Sequence, residues 1–142
     1  MKSYRYADGT FEAVYEIKRS KFIATVMGEV DGDSAETFVK NIKKKYADAT
    51  HNCYAYTLRG GAIARYSDDG EPQGTAGVPI LDVIKKSGVN DCAVVVTRYF
   101  GGILLGAGGL VRALPRNPNI RYYPCLSLSV LQTCIVFHIF RI

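Results

Sequence analysis

No two of the four cysteines stand close enough in the sequence to form a metal-binding or redox pair. Cys53, Cys92, Cys125 and Cys134 are separated by 39, 33 and 9 residues, which matches neither zinc nor thioredoxin-type spacing. The N-terminal segment also lacks the continuous apolar run of a secretory signal peptide. These two absences favour a cytoplasmic protein with reduced thiols, in which the cysteines are small buried core residues.

Acidic residues are absent from the last third of the chain. Residues 1–91 contain 13 Lys and Arg and 13 Asp and Glu, whereas residues 92–142 contain five arginines and no acid. The net charge of +5 therefore arises in the last third, and a positive field over the whole molecule is not supported. Local basic clusters at residues 18–21 and 43–45 could still contact phosphate.

The 142 residues, of which 48% are hydrophobic and 22% charged, suit one globular domain. Alternating apolar residues predict two antiparallel strands, Thr10–Ile17 and Phe22–Met27, joined by a basic turn. Apolar residues at helical spacing predict a first helix, and a capping box of Asp33 and Glu36 marks its start. A second helix is predicted at Val78–Ser87.

Three further strands are predicted around these helices. His51–Leu58 is rich in aromatic residues, and the adjacent Gly60 and Gly61 supply a reversal into the strand 62–66. The run Cys92–Thr97 is continuously apolar and β-branched, which is typical of a central strand buried on both faces. This order of strands and helices indicates an α+β domain.

Two loops, each placed between a strand and a helix, are the candidate functional segments. The acidic loop comprises residues 67–77, and the glycine-rich loop comprises residues 101–109, just after Arg98. Glycine amides leading into a helix can bind an anion, and Arg98 would add a fixed positive charge. The predicted ligand-binding residues are Ser67, Asp68, Asp69, Gly70, Glu71, Gly74, Thr75, Arg98, Gly101, Gly102, Gly106, Gly108 and Gly109. The alternative is that the glycines only permit a tight turn and close packing.

The glycine-rich loop fits neither common phosphate-binding template. Ala107 stands where the ATP-binding Walker loop requires lysine, and Val111 stands where the dinucleotide-binding motif requires its last glycine. These departures argue against ATP hydrolysis and NAD binding. No cofactor is predicted.

The acidic loop does not have the spacing of a calcium loop, although its three carboxylates could supply oxygen ligands. The simpler interpretation is that Asp68 or Asp69 caps a turn and that Thr75 caps the second helix. His51 could act as a general base, but the sequence gives no serine or cysteine clearly paired with it. No catalytic residue and no metal site are predicted.

Four motifs together resemble the YigZ/IMPACT family. They are residues 16–24, residues 51–55, the acidic loop, and residues 95–106 with 108–113, and they span about three quarters of the chain. The resemblance implies an α+β fold, a two-layer sandwich of a mostly antiparallel sheet with two or three helices. This fold is similar to the second domain of a small-subunit ribosomal protein.

The resemblance also implies a translation-linked regulatory protein that binds RNA or a ribosome-associated partner. The eukaryotic member of the family regulates translation by competing for a ribosome-associated activator of a starvation-sensing kinase. Here Lys18, Arg19 and Lys21, together with Arg98, are expected to contact nucleic acid with a salt-dependent affinity. The alternatives are an enzyme acting on a small phosphorylated substrate and a pure protein-interaction module. The sequence does not indicate the oligomeric state.

The sequence departs from the family pattern after residue 113. Bacterial family members continue into a ferredoxin-like domain, whereas Pro115 and Pro118 here break the expected helix. The apolar run 125–140 is shorter than the roughly 20 residues of a transmembrane helix. A membrane anchor, an added strand or irregular packing, and a sequence not selected to fold with the domain are the alternatives. We expect a family-type domain at 1–113 and an atypical hydrophobic tail at 114–142, from a frame shift or premature end, without a membrane partner.

Overall fold

The computed structural model describes residues 10–17 and 19–103. The described residues form β1 (Thr10–Ile17), β2 (Ser20–Met27), α1 (Gly32–Lys45), β3 (His51–Leu58), β4 (Ile63–Ser67), α2 (Gly77–Ser87) and β5 (Ala93–Tyr99). The bounds of β1 and β3 are the predicted ones, and β2, β4, α2 and β5 differ from their predicted bounds by one or two residues at one or both ends. The predicted tail, 114–142, lies outside the described residues.

The strands form one sheet in the order β1-β2-β5-β3-β4, and every neighbouring pair is antiparallel. The predicted α+β class is therefore confirmed. β5 occupies the centre of the sheet, as its β-branched composition predicts, and Val94 and Val95 are fully buried. Among the described residues, no helix has the length and apolar character needed to cross a membrane.

The two helices pack on opposite faces of the sheet. Alternate residues of a strand point to opposite faces, and on β5 Val94 and Val96 pack with α2 whereas Ala93 and Val95 pack with α1. The described part of the chain thus has a helix layer on each side of the sheet, which corrects the two-layer expectation. The physical reason is that a strand apolar on both faces requires a cover on both.

The start of α1 differs from the prediction. Asp31, not Asp33, is the N-cap, and its carboxylate accepts a hydrogen bond from the Ser34 amide at 2.8 Å. Ser34 Oγ in turn accepts from the Asp31 amide at 2.8 Å, which completes a capping box with serine in place of Glu36. Asp33 lies in the first turn, where its negative charge favours the helix N-terminus. Of the apolar residues at helical spacing that predict this helix, Ala35, Phe38, Val39 and Ile42 are buried and Tyr46 is partly exposed.

Candidate functional site

The acidic loop contacts the end of β5, where the glycine-rich loop begins. Arg98 Nη1 lies 2.6 Å from Glu71 Oε1. His51 is paired directly with Arg98 in the β3–β5 register, and its Nε2 lies 3.9 Å from the same carboxylate oxygen. The sheet therefore brings Glu71 and Arg98, which are 27 residues apart in sequence, into one site.

The Arg98 guanidinium lies between two aromatic rings and the Glu71 carboxylate. Its Cζ lies 5.7 Å from the centroid of the Phe22 ring and 5.6 Å from that of Phe100, both within the range of cation–π attraction. The Arg98 side chain is 15% exposed and that of Glu71 is 12% exposed. Within residues 10–17 and 19–103, Arg98 Nε is buried without a hydrogen-bond partner. Arg98 therefore anchors the acidic loop to the sheet through a largely buried ion pair.

Asp68 organises the other half of the acidic loop. Its carboxylate accepts hydrogen bonds from three backbone amides, at 2.9, 3.1 and 2.7 Å respectively: Gly74, Ala76 and Gly77. The hydroxyl of Thr75 instead donates to the Pro72 carbonyl oxygen at 2.5 Å, so Asp68 rather than Thr75 caps the start of α2. Asp68 thereby occupies the position at the helix N-terminus that an external anion would take.

These hydrogen bonds predict an acid-dependent stability. Partial burial raises the pKa of Asp68, but the amides of Gly74, Gly77 and Ala76 outweigh this effect and lower the pKa below 3.8. A lowered pKa in the folded state stabilises the protein at pH values above the unfolded-state value, and this stabilisation is lost as the pH falls through the folded-state pKa. We expect Asp68→Asn to lower the free energy of unfolding by about 2 kcal/mol at neutral pH.

Urea denaturation at neutral pH and near pH 3 measures this effect. The difference between wild type and Asp68→Asn should shrink at the acidic pH, because below pH 3.8 the unfolded wild-type chain takes up a proton that the folded chain binds less readily. Asp82→Asn makes the same charge change at an exposed position of α2 and should cost less than about 0.5 kcal/mol. An undiminished difference in acid would mean that the carboxylate charge does not hold the loop.

Asp69 fastens the acidic loop to α1 and β3. Asp69 Oδ1 lies 2.6 Å from Lys43 Nζ, and Oδ2 accepts from the Asn52 amide at 2.7 Å. The Asp69 carbonyl oxygen lies 2.8 Å from His51 Nδ1, which must carry the proton because a carbonyl only accepts. The next residue, Gly70, has a φ of +90°, and a Cβ there would approach His51 Nδ1 to 3.2 Å.

The described residues include two buried thiols and no metal-binding arrangement of side chains. Within the described ranges, no group of three His, Cys, Asp or Glu side chains is arranged to hold a metal ion. The Cys53 thiol donates to the Asp68 carbonyl oxygen at 3.0 Å, and burial raises its pKa to about 12. Burial likewise raises the pKa of Cys92 to about 12. Both thiols stay protonated and are buried core residues, as predicted. Cys125 and Cys134 lie outside the described residues.

The β1–β2 turn lies beside the beginning of the glycine-rich loop. Gly101 packs against the Arg19 backbone, and its amide donates to Ser20 Oγ at 3.3 Å. Arg19 and Lys21 are exposed, and Lys21 Nζ lies 5.9 Å from the centroid of the Tyr99 ring. Gly102 is exposed, with a φ of +83°. Four predicted residues lie outside the described part: Lys18, Gly106, Gly108 and Gly109.

Sequence reasoning missed the partners that hold the two loops in place. Lys43, Asn52 and Ser20 bind their loop partners across 26, 17 and 81 residues of sequence. No local pattern marks such pairs, although the cluster 43–45 was singled out for its charge. Ser67, in contrast, acts within the predicted loop, where its Oγ accepts from the Asp69 amide at 3.2 Å.

The sequence is similar to a known protein family over a range that contains both loops. The model of the Impact N-terminal domain matches residues 18–118. The IMPACT family member YvyE of Bacillus subtilis is 51% identical over 102 residues, which cover 71% of this chain and 47% of the relative. The IMPACT family member YigZ of Escherichia coli is 43% identical over 123 residues, which cover 84% of this chain and 60% of the relative. This chain thus spans less than two thirds of either relative.

A solved structure shares the same fold. It is that of Yih1, described as a two-domain translational regulator, which matches with a TM-score of 0.53 and 25% identity over 70% of this chain and 40% of that chain. The family match includes both loops, the β1–β2 turn and β5. On the extent of that match and the identity to its bacterial relatives, the chain belongs to the IMPACT family.

Proposed function

We propose that this chain is a cytoplasmic, translation-linked regulatory protein that acts by binding RNA or a ribosome-associated partner. The observation that carries the proposal is the similarity of the described domain to the translational regulator Yih1. Because the chain spans only part of its relatives, the partners and the regulatory role belong to the proposal.

The proposed contact surface is the β1–β2 turn together with the start of the glycine-rich loop. Arg19 and Lys21 are exposed on this surface. The backbone of Arg19 packs against Gly101, the first residue of the glycine-rich loop. Exposed cations on a turn can reach phosphates without desolvating a buried charge. Arg98 contributes by holding the acidic loop, because its guanidinium is already paired with Glu71. Lys18 belongs to the proposed surface by its position in the sequence.

The state of the loop carboxylates supports binding over the enzyme alternative. Asp68 is engaged by three backbone amides, Asp69 by Lys43 and the Asn52 amide, and Glu71 by Arg98. A carboxylate that is already hydrogen-bonded must lose those partners before it can bind a metal ion or accept a proton from a substrate.

Co-sedimentation with ribosomes over a series of salt concentrations, with and without nuclease, tests this proposal. Replacing both Arg19 and Lys21 by glutamine should reduce the slope of log affinity against log salt by about 2, since each phosphate contact contributes roughly one unit. The matched control replaces both Lys85 and Lys86, an exposed basic pair in the last turn of α2, and should leave the slope unchanged.

Two other results of the co-sedimentation experiment would change the proposal. Salt-insensitive sedimentation that survives nuclease would replace RNA by a protein partner. Failure to associate with ribosomes, ribosomal subunits or their bound factors at any salt concentration would overturn the proposal.

A further inference from the structure

A second surface with binding character lies on the face of the sheet that α1 covers. It is an open groove of about 240 Å³, lined on the helix by Glu36, Val39, Lys40 and Lys43 and on the sheet by Tyr54 and Tyr56. It is distinct from the surface at the end of β5, although Lys43 also holds the acidic loop.

The floor of the groove is a pair of parallel aromatic rings. Tyr54 and Tyr56 are alternate residues of β3 and therefore point to the same face. Their ring planes lie within 8° of parallel and their centroids are 6.1 Å apart. Tyr56 is only 8% exposed, whereas Tyr54 is partly exposed. The packing of the buried ring in the core beneath α1 fixes the orientation of the pair.

Two lysines and one arginine lie around this floor, together with the carboxylate of Glu36. Lys43 Nζ lies 5.3 Å from the centroid of the Tyr54 ring, and its charge is balanced by Asp69 at 2.6 Å. Lys40 is exposed on the same helix wall, one turn before Lys43, and exposed Arg65 is paired with Tyr56 in the β3–β4 register. In the described part of the chain, neither Lys40 nor Arg65 forms an ion pair.

The groove is also accessible from the side. α1 packs over β5, β3 and β2, while β4 is the last strand of the described sheet on that side. An extended chain can therefore reach the partly exposed Tyr54 ring without displacing the helix. Flat aromatic rings on a sheet, with cations in reach of a backbone, are how proteins bind single-stranded nucleic acid: bases stack and phosphates meet Lys or Arg.

We propose that this groove binds single-stranded RNA, with a base stacked on Tyr54 and adjoining phosphates contacting Lys40 and Arg65. The inference rests on the proposed function and adds a base-reading contact to the phosphate contacts of the β1–β2 turn. Lys40 and Arg65, on either side of the aromatic floor, favour RNA over an apolar peptide segment. Such a peptide carries no negative charge that could pair with them.

A tryptophan reporter tests the stacking directly in the full chain. The sequence contains ten tyrosines and no tryptophan, so Tyr54→Trp introduces a single distinguishable fluorophore that keeps an aromatic ring in place. A short oligoadenylate should quench this fluorescence. The matched control is Tyr66→Trp, since Tyr66 is 52% exposed on the opposite face of the same sheet, and its fluorescence should not change.

Two comparisons separate stacking from charge. An abasic oligonucleotide with the same number of phosphates should bind the wild type about tenfold more weakly than oligoadenylate, and Tyr54→Leu should bind oligoadenylate about tenfold more weakly than the wild type. Lys40→Gln should reduce the salt slope by about 1, whereas Lys86→Gln on α2 should leave it unchanged.

Several outcomes would overturn the inference. They are equal affinity for the abasic strand, no quenching of the Tyr54→Trp reporter, and quenching by an acidic or proline-rich peptide but not by RNA. If ribosome co-sedimentation persists while these RNA effects are missing, the groove assignment fails and the proposed function survives. If both are missing, both fail. Because Tyr54→Trp retains the ring, the test does not depend on the folding of Tyr54→Leu.

Discussion

Replacing Arg98 by methionine is expected to lower the free energy of unfolding by about 3 to 5 kcal/mol, the usual cost of removing one partner of a buried ion pair. The substitution leaves the Glu71 carboxylate, which is 12% exposed, without the guanidinium that lies 2.6 Å away. Methionine keeps most of the apolar contact with Phe22 and Phe100, so the loss reports mainly the missing charge. Urea denaturation followed by far-UV circular dichroism measures it.

A double-mutant cycle separates the ion pair from general damage. Glu71→Gln alone leaves Arg98 without its anionic partner, but the double variant Arg98→Met/Glu71→Gln leaves no uncompensated charge. Its destabilisation should therefore be smaller than the sum of the two single effects, by about 1 to 3 kcal/mol. Arg65→Met is the matched control, because Arg65 is exposed and, within the described part of the chain, its side chain hydrogen-bonds the neighbouring Ala64 carbonyl oxygen alone. The cost of this substitution should stay within about 0.5 kcal/mol. Additive single effects would mean that the pair does not fasten the loop.

Short-range patterns account for most of the fold. The alternation of apolar with more polar residues in β1, and the aromatic run that becomes β3, mark both strands at their observed bounds. The β-branched run of β5 indicates its central place, because a strand apolar on both faces must be covered twice. The same reasoning implies a helix on each face of the sheet. A two-layer fold, which the resemblance implies, would leave one face of β5 uncovered. The cores formed by α1 and α2 cover both faces.

The first helix start shows where local patterns are ambiguous. Two aspartates have the spacing of a capping box. Asp31 lies three residues before Ser34, and Asp33 lies three residues before Glu36. The predicted capping box pairs Asp33 with Glu36, because glutamate is a usual residue at the third helical position. Ser34 completes the cap instead, since its short hydroxyl reaches the Asp31 amide at 2.8 Å. The choice shifts the cap by two residues without changing which face of α1 is buried.

The site depends on contacts that no local pattern contains. The sequence marks both loops as unusual, but it does not say that His51 lies opposite Arg98, because β3 and β5 pair across an intervening strand and helix. It also does not say which carboxylate meets which partner. The Asp68 carboxylate accepts hydrogen bonds from amides of its own loop. Glu71, three residues later, forms an ion pair with Arg98 on β5. The pairing of β3 with β5 and the contact of Glu71 with Arg98 cannot be read from the sequence.

A methyl group at Gly101 is expected to lower the free energy of unfolding by about 3 kcal/mol, in the upper range of overpacking costs. A Cβ built at this position overlaps the backbone carbonyl group of Arg19. Backbone atoms cannot rotate away as a side-chain end can, so either the β1–β2 turn or the end of β5 must move. The Gly101 amide, which donates to buried Ser20 at 3.3 Å, would move with it. Urea denaturation of Gly101→Ala measures the cost.

Gly102→Ala provides the control, because it separates steric overlap from backbone strain. Gly102 has a φ of +83°, but a Cβ there meets nothing within 4 Å, so its substitution should cost only about 1 to 2 kcal/mol. The same contact joins the proposed RNA-binding turn to the site, since Gly101 packs on the backbone of Arg19. Gly101→Ala should therefore weaken ribosome co-sedimentation under conditions where the chain is still folded, whereas Gly102→Ala should do so much less. If Gly101→Ala costs no more than Gly102→Ala and binding is unchanged, Arg19 is not positioned by β5 and the turn must be placed by other contacts.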